Sequence, residues 1–424
     1  MAIQNMSSAV NINDFPDEIL CHIISFLPIK DAVRTSILSR RWSYLFTLIS
    51  NLNFEFNENE LRKVMRFISV VDRVLFLSRK PCIKRFRLKC YQVLDPLCID
   101  GWIHALMSHT VQELDLSIEA KQFYGLPLPM SLFSCKSLMI LKLDLPLQSC
   151  DFKVPTEACL PNLKVFHLKG FVFSDDESSE RLFSSCPALE DLALQSFYLR
   201  VGCHKFSVSN PSLKRLTITS VVTDFLLEQK VELVINAPRL VYLEYSSSVF
   251  HSHQFVDVQL LAEAVVYLAV ATDLFNGLKN TQSLQISSDS LLILACHGVP
   301  LPPLGKWTEL KIVGGEFNTI GLCHFLMHCY QLETLIFQKI SDEWDPRTWA
   351  LAAHLLASFW NHVKEIKILS FGGEEAHMKL VQYFLNDALV LEKLTIHITG
   401  GEQHSKNDLL SLPMASKECQ VVIL

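Results

Sequence analysis

With 424 residues, 50% of them hydrophobic and 19% charged, the chain is long enough for one large core or two to three units, and its composition excludes a disordered protein. The formal net charge of −6 argues against nucleic-acid binding, and no apolar run reaches the ~18 residues that a membrane span needs. Thirteen cysteines, behind an N-terminus with neither a charged start nor an apolar stretch, predict reduced thiols in the nucleus, the cytoplasm or both.

The first element along the chain is a group of three short helices predicted over residues 14–46, behind a flexible segment of residues 1–13. Asp14 is a good N-cap for the first helix, Pro16 suits its first turn, and Pro28 ends it. About 35 residues cannot close a core over so much apolar surface, so we expect a partner to cover it. The apolar stripe of the first helix consists of Ile19, Leu20, Ile23, Ile24 and Leu27. The second and third helices are predicted to begin near Asp31 and Ser39.

These helices carry an ordered motif of a Pro-x-x-x-Leu start, Phe-Leu-Pro, Ala-Val-x-Thr-Ser and Leu-Ser-x-Arg-Trp. Its positions are Pro16, Leu20, Phe26-Leu27-Pro28, Ala32-Val33, Thr35-Ser36, Leu38-Ser39 and Arg41-Trp42. The motif resembles an F-box of the plant type, here over residues 14–54, although Phe15 and Phe46 replace the usual Leu and Trp. The resemblance implies binding to a Skp-type adaptor and, through it, to a cullin-RING ubiquitin ligase. The adaptor-binding residues that it implies are Phe15, Pro16, Ile19, Leu20, Ile23, Ile24, Leu27, Pro28, Val33, Leu38 and Trp42.

From residue 83 onward an apolar-x-x-apolar-x-apolar pattern recurs, with starts mostly 24 to 28 residues apart. Each triplet predicts a short strand that turns alternate residues inward and pairs in parallel with the strand of the next repeat. The interval of 16 residues between Val265 and Thr281 is interpreted as a truncated repeat, and that of 31 between Leu332 and Val363 as one that holds an insertion at residues 341–349. The predicted starts are Ile83, Val111, Leu138, Leu163, Leu189, Leu213, Leu240, Val265, Thr281, Trp307, Leu332, Val363 and Leu391.

The repeats resemble the irregular leucine-rich repeats of plant F-box proteins, because most of them lack the Asn that ladders the turn of the regular type. The C-terminal stretch, with Val363-Lys364-Glu365-Ile366, Phe371-Gly372 and Ala415-Ser416, resembles the FBD region that ends many of these proteins. The implied fold is α/β: a three-helix F-box, then a leucine-rich-repeat solenoid over residues 55–345 with parallel strands on its concave face. An FBD-like region over residues 346–424 is expected to cap it.

One cluster looks like a metal site, because His324 and His328 share a helical face between Cys323 and Cys329. Cys329, however, stands three residues before a repeat start, as Cys135 and Cys186 do before theirs, which favours packing over ligation. His251 and His253 are interpreted as members of a polar loop with no acidic or thiol partner at the spacing of metal ligands. No nucleophile or metalloprotease motif is present, so we expect neither a cofactor nor an enzyme.

Residues that alternate with the inward apolar ones are expected to form a mixed surface with a basic start, suited to a protein target. They are Arg85, Arg87, Lys89, Glu113, Asp115, Lys142, Asp144, His167, Lys169, Arg215, Tyr242 and Glu244. The sequence therefore predicts a substrate-recognition subunit of an SCF-type ubiquitin ligase, with a target that it does not specify. Two alternatives stay open: a non-degradative F-box scaffold, and a receptor for a small ligand.

Overall fold

The structure, a computed structural model, divides the chain into two compact units: Met1–Ser174 with Ser185–Leu189, and Asp175–Ser184 with Glu190–Leu424. Of the expected insertion, residues 341–349, only residues 347 and 349 are described. The described residues are 11–58, 60–78, 83–91, 94–119, 126, 128–146, 150–220, 230–268, 272–296, 301–302, 306–314, 319–340, 347, 349, 356–399 and 403–424.

The first unit begins with a helical head, residues 11–50, that contains α1 (Asp17–Ile24) and α2 (Ile29–Arg34). The prediction that Asp14 caps α1 is wrong, because Asp14 ends a 3-10 turn and Pro16 directly precedes the helix. The third predicted helix is also wrong, since only a 3-10 turn forms, at Leu45–Leu48. Hydroxyl groups in the preceding segment bond to nearby backbone and so compete with a helical ladder, as when the Ser43 hydroxyl donates to the Arg40 carbonyl at 2.7 Å.

The rest of the first unit is a parallel sheet in the order β1-β2-β3-β4-β6, a short β5-β7 pair, and two helices. The strand β1 was not predicted, because its apolar positions Leu52 and Phe54 fall inside the stretch that the motif assigned to the head. The elements are β1 (Asn51–Phe56), α3 (Leu61–Leu77), β2 (Arg85–Cys90), α4 (Pro96–Met107), β3 (Glu113–Ile118), β4 (Ile140–Asp144), β5 (Cys150–Phe152), β6 (Val165–Lys169) and β7 (Phe171–Phe173).

The second unit continues the same scheme with a parallel sheet in the order β8-β11-β13-β15-β16-β17-β18-β19-β20-β21, and it adds a second sheet, β10-β12-β14, that was not predicted. Its strands are β8 (Asp191–Gln195), β9 (Tyr198–Leu199), β10 (Lys205–Ser209), β11 (Arg215–Ser220), β12 (Val231–Asn236), β13 (Tyr242–Ser247), β14 (Phe250–Asp257), β15 (Glu263–Leu268), β16 (Ser283–Ser287), β17 (Glu309–Val313), β18 (Thr334–Phe337), β19 (Glu365–Phe371), β20 (Lys393–Ile398) and β21 (Gln420–Ile423). Its helices are α5 (Asp176–Ser184), α6 (Thr272–Leu278), α7 (Ser288–Cys296), α8 (Thr319–Leu326), α9 (Ala357–Trp360), α10 (Glu375–Asp387) and α11 (Gln403–Leu410).

The core of each unit consists of the inward residues of the repeats, as the alternation predicts. On β2, for example, Phe86 and Leu88 are fully buried while Arg85 and Arg87 are exposed. Each repeat leaves its apolar edge uncovered until the next strand pairs with it, so the stack as a whole forms the core.

The register of β15 corrects one predicted repeat. Ala264 pairs with Leu243 and Val266 pairs with Tyr245, so this repeat starts at Leu261 and not at Val265. Ala264 is too small to be recognised as an inward residue of the pattern. The apolar triplet that begins four residues later, at Val265, was therefore taken as the start of the repeat. With the correct start, the preceding and following intervals are 21 and 20 residues, and no truncated repeat exists here.

Gly170, between β6 and β7, has a φ of +85°, a conformation that favours glycine. A Cβ atom at this position would overlap the backbone carbonyl oxygen of Leu145. The chain therefore needs glycine here to bring two backbone segments together.

Candidate functional site

The helical head keeps a set of large apolar side chains in solvent. The side chain of Phe26 is 75% exposed and that of Ile37 is 85% exposed, whereas large apolar side chains of a core are buried. We call this set the head patch; it comprises Ile12, Ile19, Ile23, Phe26, Leu27, Ile37 and Leu38.

The head patch is exposed because the head already closes a core of its own. Leu20 and Ile24, four residues apart on α1, are fully buried, and so is Leu45 of the following 3-10 turn. Ile19 and Ile23 have the same spacing but lie on the neighbouring outward face of α1. The patch is thus a surface left over after the core is complete.

Asp17 holds the head together at the start of α1. Its Oδ1 atom accepts from Arg41 Nη2 at 2.7 Å and from Arg41 Nε at 2.9 Å, and its Oδ2 atom accepts from the Tyr44 hydroxyl at 2.9 Å. Arg41 also donates to the backbone carbonyls of Asn13 and Phe15. The hydrogen bonds from Arg41 and Tyr44 hold the pKa of Asp17 below its usual value, so this network is present while Asp17 is ionised.

The outward side of the first unit's sheet is charged but internally paired. The parallel register sets Arg85 beside Glu113 and Arg87 beside Asp115, and it lets Lys169 Nζ approach Asp144 Oδ1 to 2.9 Å. Acids of the next strand face the bases of the predicted basic start, so these bases are paired. The remaining predicted members, Lys89, Lys142 and His167, are half-buried on the same side.

The outward side of the second unit's sheet brings three predicted residues into one cluster. The Arg215 guanidinium lies 4.0 Å from the centre of the Tyr242 ring, and the Tyr242 hydroxyl donates to Glu244 Oε2 at 3.3 Å. Burial and the neighbouring Glu244 raise the pKa of Tyr242 to about 12, so its hydroxyl stays a donor. We call Arg215, Tyr242 and Glu244 the tyrosine cluster.

Comparisons with known proteins agree with this architecture. Residues 12–54 match the F-box domain family, and residues 78–421 match the family described as At1g61320/AtMIF1, LRR domain. The chain belongs to the plant F-box/LRR-repeat family. The predicted family and the predicted α/β fold, a helical F-box with a parallel-strand leucine-rich-repeat solenoid, are thereby confirmed.

Similar proteins are known from Arabidopsis thaliana. The chain is 30% identical to the putative F-box/FBD/LRR-repeat protein At3g59240, over 97% of this chain and 89% of that protein. It is 32% identical to the F-box/LRR-repeat protein At4g14096, over 97% and 94%. It is 28% identical to the F-box/FBD/LRR-repeat protein At1g78750, over 97% and 96%. The FBD in two of these names agrees with the FBD-like C-terminal region.

Within the F-box, the structure separates the predicted adaptor-binding residues into two groups. Leu20, Ile24 and Trp42 are buried, and the Trp42 indole Nε1 donates to Asn13 Oδ1 at 2.7 Å. The prediction that these three contact an adaptor directly is wrong, because a contact needs accessible surface. Of the other eight, Phe15 and Val33 are half-buried, and Pro16, Ile19, Ile23, Leu27, Pro28 and Leu38 are exposed.

The sequence interpretation left out three exposed members of the head patch: Ile12, Phe26 and Ile37. Phe26 belongs to the Phe-Leu-Pro motif and follows the end of α1, which frees it from the buried stripe. Pro28 disfavours helical geometry at the residue before it, so apolar residues just ahead of a Pro are the signal that the helix and its buried stripe have ended.

His253 lies on strand β14 and not in the predicted loop, and an acidic side chain distant along the chain reaches it. Its Nδ1 atom lies 3.0 Å from Asp273 Oδ1, and its Nε2 atom lies 2.6 Å from the Tyr245 hydroxyl. Burial lowers the pKa of His253, although Asp273 opposes that shift. The partner was missed because it stands 20 residues away, on α6, next to a strand of the unpredicted second sheet.

The two cysteines of the predicted metal-like cluster, Cys323 on α8 and Cys329 in the turn that follows it, are buried. Burial raises the pKa of Cys323 to about 12, and Cys329 Sγ donates to the carbonyl of Phe325 at 3.4 Å. At the equivalent turn of another repeat, the Asn210 side chain donates to the Phe183 carbonyl at 3.0 Å. Within the described ranges, no three metal-binding side chains come together, and no helix is both long and apolar enough to cross a bilayer.

Proposed function

We propose that this F-box protein is the substrate-recognition subunit of an SCF-type, cullin-RING ubiquitin ligase. The observation that carries the proposal is the head patch, which stays exposed although Leu20 and Ile24 already give the F-box a closed core. Large apolar side chains that a folded domain leaves in water mark a surface for a partner. The family to which the chain belongs makes a Skp-type adaptor that partner.

The head patch would bind the adaptor through apolar burial. Phe26, Ile37 and Leu38, the most exposed members, have the most surface to lose on docking. Each fully buried large side chain contributes about 1.5–3 kcal/mol before the costs of association. A few such side chains suffice for specific binding, with the Asp17–Arg41 network keeping the scaffold beneath them in place.

The leucine-rich repeats would bind the target protein on the outward side of their sheets. The tyrosine cluster supports this role in the second unit, because a half-buried Tyr flanked by Arg and Glu offers ring, cation and carboxylate to one ligand. The chain itself performs no chemistry in this proposal. It holds the target near the ubiquitin donor of its partners, which act in the nucleus, the cytoplasm or both.

The test compares two exposed phenylalanines. Phe26 lies in the head patch, whereas Phe76, 88% exposed on α3, lies outside it and serves as the matched control. Phe26→Ser is expected to weaken binding to a purified Skp-type adaptor by about ten- to hundredfold, since the apolar contribution of one aromatic side chain is lost. Phe76→Ser should bind like the wild type.

The proposal fails if the wild-type protein does not bind a Skp-type adaptor, or if Phe26→Ser and Phe76→Ser bind it equally well. A second measurement addresses the ligase itself. The wild-type complex, reconstituted with cullin, RING protein and ubiquitin-charged donor enzyme, should modify a co-purified partner, and the Phe26→Ser complex should not. A partner that binds but is never modified would point to the non-degradative scaffold.

A further inference from the structure

A groove runs through the first unit between α2 and α3. Three cavities, of about 310, 380 and 500 Å³, follow one another there and share lining residues: Val70 borders all three. We call it the head groove. Its lining includes Phe26, Leu27, Lys30, Val33, Arg34, Phe46, Glu58, Lys63, Met65, Arg66, Phe67, Ser69, Val70, Arg73 and Val74.

The floor of the head groove is apolar. Phe46, Phe67 and Val74 are each less than a tenth exposed, so they form a fixed base. Above them, Met65 is 64% exposed on α3. An apolar floor below an exposed methionine suits a large apolar side chain of a partner, because Met adapts its shape to what it covers.

The rim of the head groove is basic. Five lining residues are Lys or Arg and two, Glu55 and Glu58, are acidic, in a chain whose formal net charge is −6. Lys63 Nζ pairs with Glu58 at 2.6 Å and Arg34 Nη1 pairs with Asp31 at 2.9 Å, which leaves Lys30, Arg66 and Arg73 in excess over Glu55. Arg66 and Arg73 have no carboxylate of the described residues within 4.0 Å.

We propose that the head groove receives an acidic segment of the adaptor, one that presents a large apolar side chain between two carboxylates. The inference rests on the proposed function, which assigns the neighbouring head patch to that adaptor. Phe26 and Leu27 belong to both surfaces, so a partner seated on the patch reaches the groove without a gap. The basic rim favours a negatively charged segment, and the apolar floor favours a large apolar side chain as its anchor.

The spacing of the two arginines restricts the segment further. Arg66 and Arg73 are seven residues apart on one helix, which separates them by about 10 Å along its axis. Side chains about 10 Å apart on one face of a helix are seven residues apart, whereas residues three apart in an extended chain point to opposite faces. The spacing therefore favours a helical segment, with the apolar anchor between its two carboxylates.

Charge reversal on α3 tests the proposal with a matched control. Arg66→Glu and Arg73→Glu alter the groove rim, whereas Arg62→Glu makes the same change on an exposed residue of α3 that does not line the groove. Affinity for a purified Skp-type adaptor is measured by calorimetry at low and high salt. The two rim variants should bind about three- to thirtyfold more weakly at low salt and show a flatter salt dependence, and Arg62→Glu should match the wild type.

Ser69→Trp supplies a test that is independent of charge. Ser69 is exposed and lines the groove, so an indole there fills the space without touching the core. This variant should also weaken adaptor binding, while its thermal melting stays that of the wild type. Unaltered binding by Ser69→Trp would count against an occupied groove.

The possible outcomes separate this inference from the proposed function. If the wild type binds the adaptor, Phe26→Ser loses it, and both rim variants behave like Arg62→Glu, the groove proposal alone is overturned. If the wild type does not bind the adaptor, both proposals are overturned. If the rim variants keep the adaptor but lose a co-purified target, the segment belongs to the target and the assignment to the adaptor is wrong.

Discussion

Two neighbouring residues on α1 differ in burial, so replacing each of them tests which side of the F-box helix belongs to the core. Leu20 is fully buried, whereas Ile19 is 44% exposed. Replacing a buried Leu by Ala removes its transfer free energy and leaves a cavity, which costs about 2–5 kcal/mol. Ile19→Ala loses less burial and gains helix propensity, so it should cost less than about 1 kcal/mol.

Hydrogen exchange of the intact chain, followed on peptides that cover α1, measures the loss of local stability in this helix. Since about 1.4 kcal/mol is a factor of ten, Leu20→Ala should speed exchange in α1 by roughly thirtyfold or more, and Ile19→Ala by about fivefold at most. An osmolyte that favours the folded state should restore adaptor binding to Leu20→Ala but not to Phe26→Ser. Equal exchange in Leu20→Ala and Ile19→Ala would refute the assignment of Leu20 to the core.

Three further predictions concern the repeats. Gly170→Ala should lower the stability of the first unit by more than about 1 kcal/mol in urea unfolding, while Gly101→Ala, in the middle of α4 with open space around it, should raise it by about 0.5–1 kcal/mol; a harmless Gly170→Ala would contradict the close approach. The pKa of His253 is lowered, so the unfolded chain takes up a proton there that the folded chain does not. The stability of the second unit should therefore fall as the pH drops below about 6.5, less so in His253→Gln, and an identical pH profile in that variant would rule the residue out. At neutral pH, iodoacetamide should label the exposed Cys159 of the native protein and spare Cys323, whose pKa is raised to about 12, and mass spectrometry showing the reverse order would contradict its burial.

Local patterns predicted much of this fold because repeats and motifs are short-range signals. Residues such as Leu216 and Ile218 alternate with polar neighbours, and the structure buries them as the period-2 rule requires. The rule failed at Ala264, which is too small to be recognised as an inward residue although the register of β13 and β15 places it inward. The pairing of strands, not the hydrophobicity of one residue, set that position.

The binding surface was predicted less well than the fold. The motif identified the F-box, yet it contains both Leu20, which the head buries, and Leu27, which the head leaves 41% exposed. Both fall in one predicted helical stripe, although α1 ends at Ile24, and a periodic pattern does not say which of them the rest of the chain will cover. The same limit explains His253, whose partner Asp273 is brought near by a second sheet without a clear signal in the sequence.

The sequence by itself determined the family, the α/β class, the F-box motif and most inward positions of the repeats, because each of these depends on residues within one or two turns of each other. Only the tertiary structure decided which apolar side chains stay in water, which charges are neutralised across strands, and where a groove with a basic rim opens. These features depend on contacts between residues that are distant along the chain: Asp17 with Arg41, Arg85 with Glu113, and α2 with α3. Contacts between residues so far apart in the sequence depend on how the elements pack together, and the periodicity of the sequence does not encode that packing.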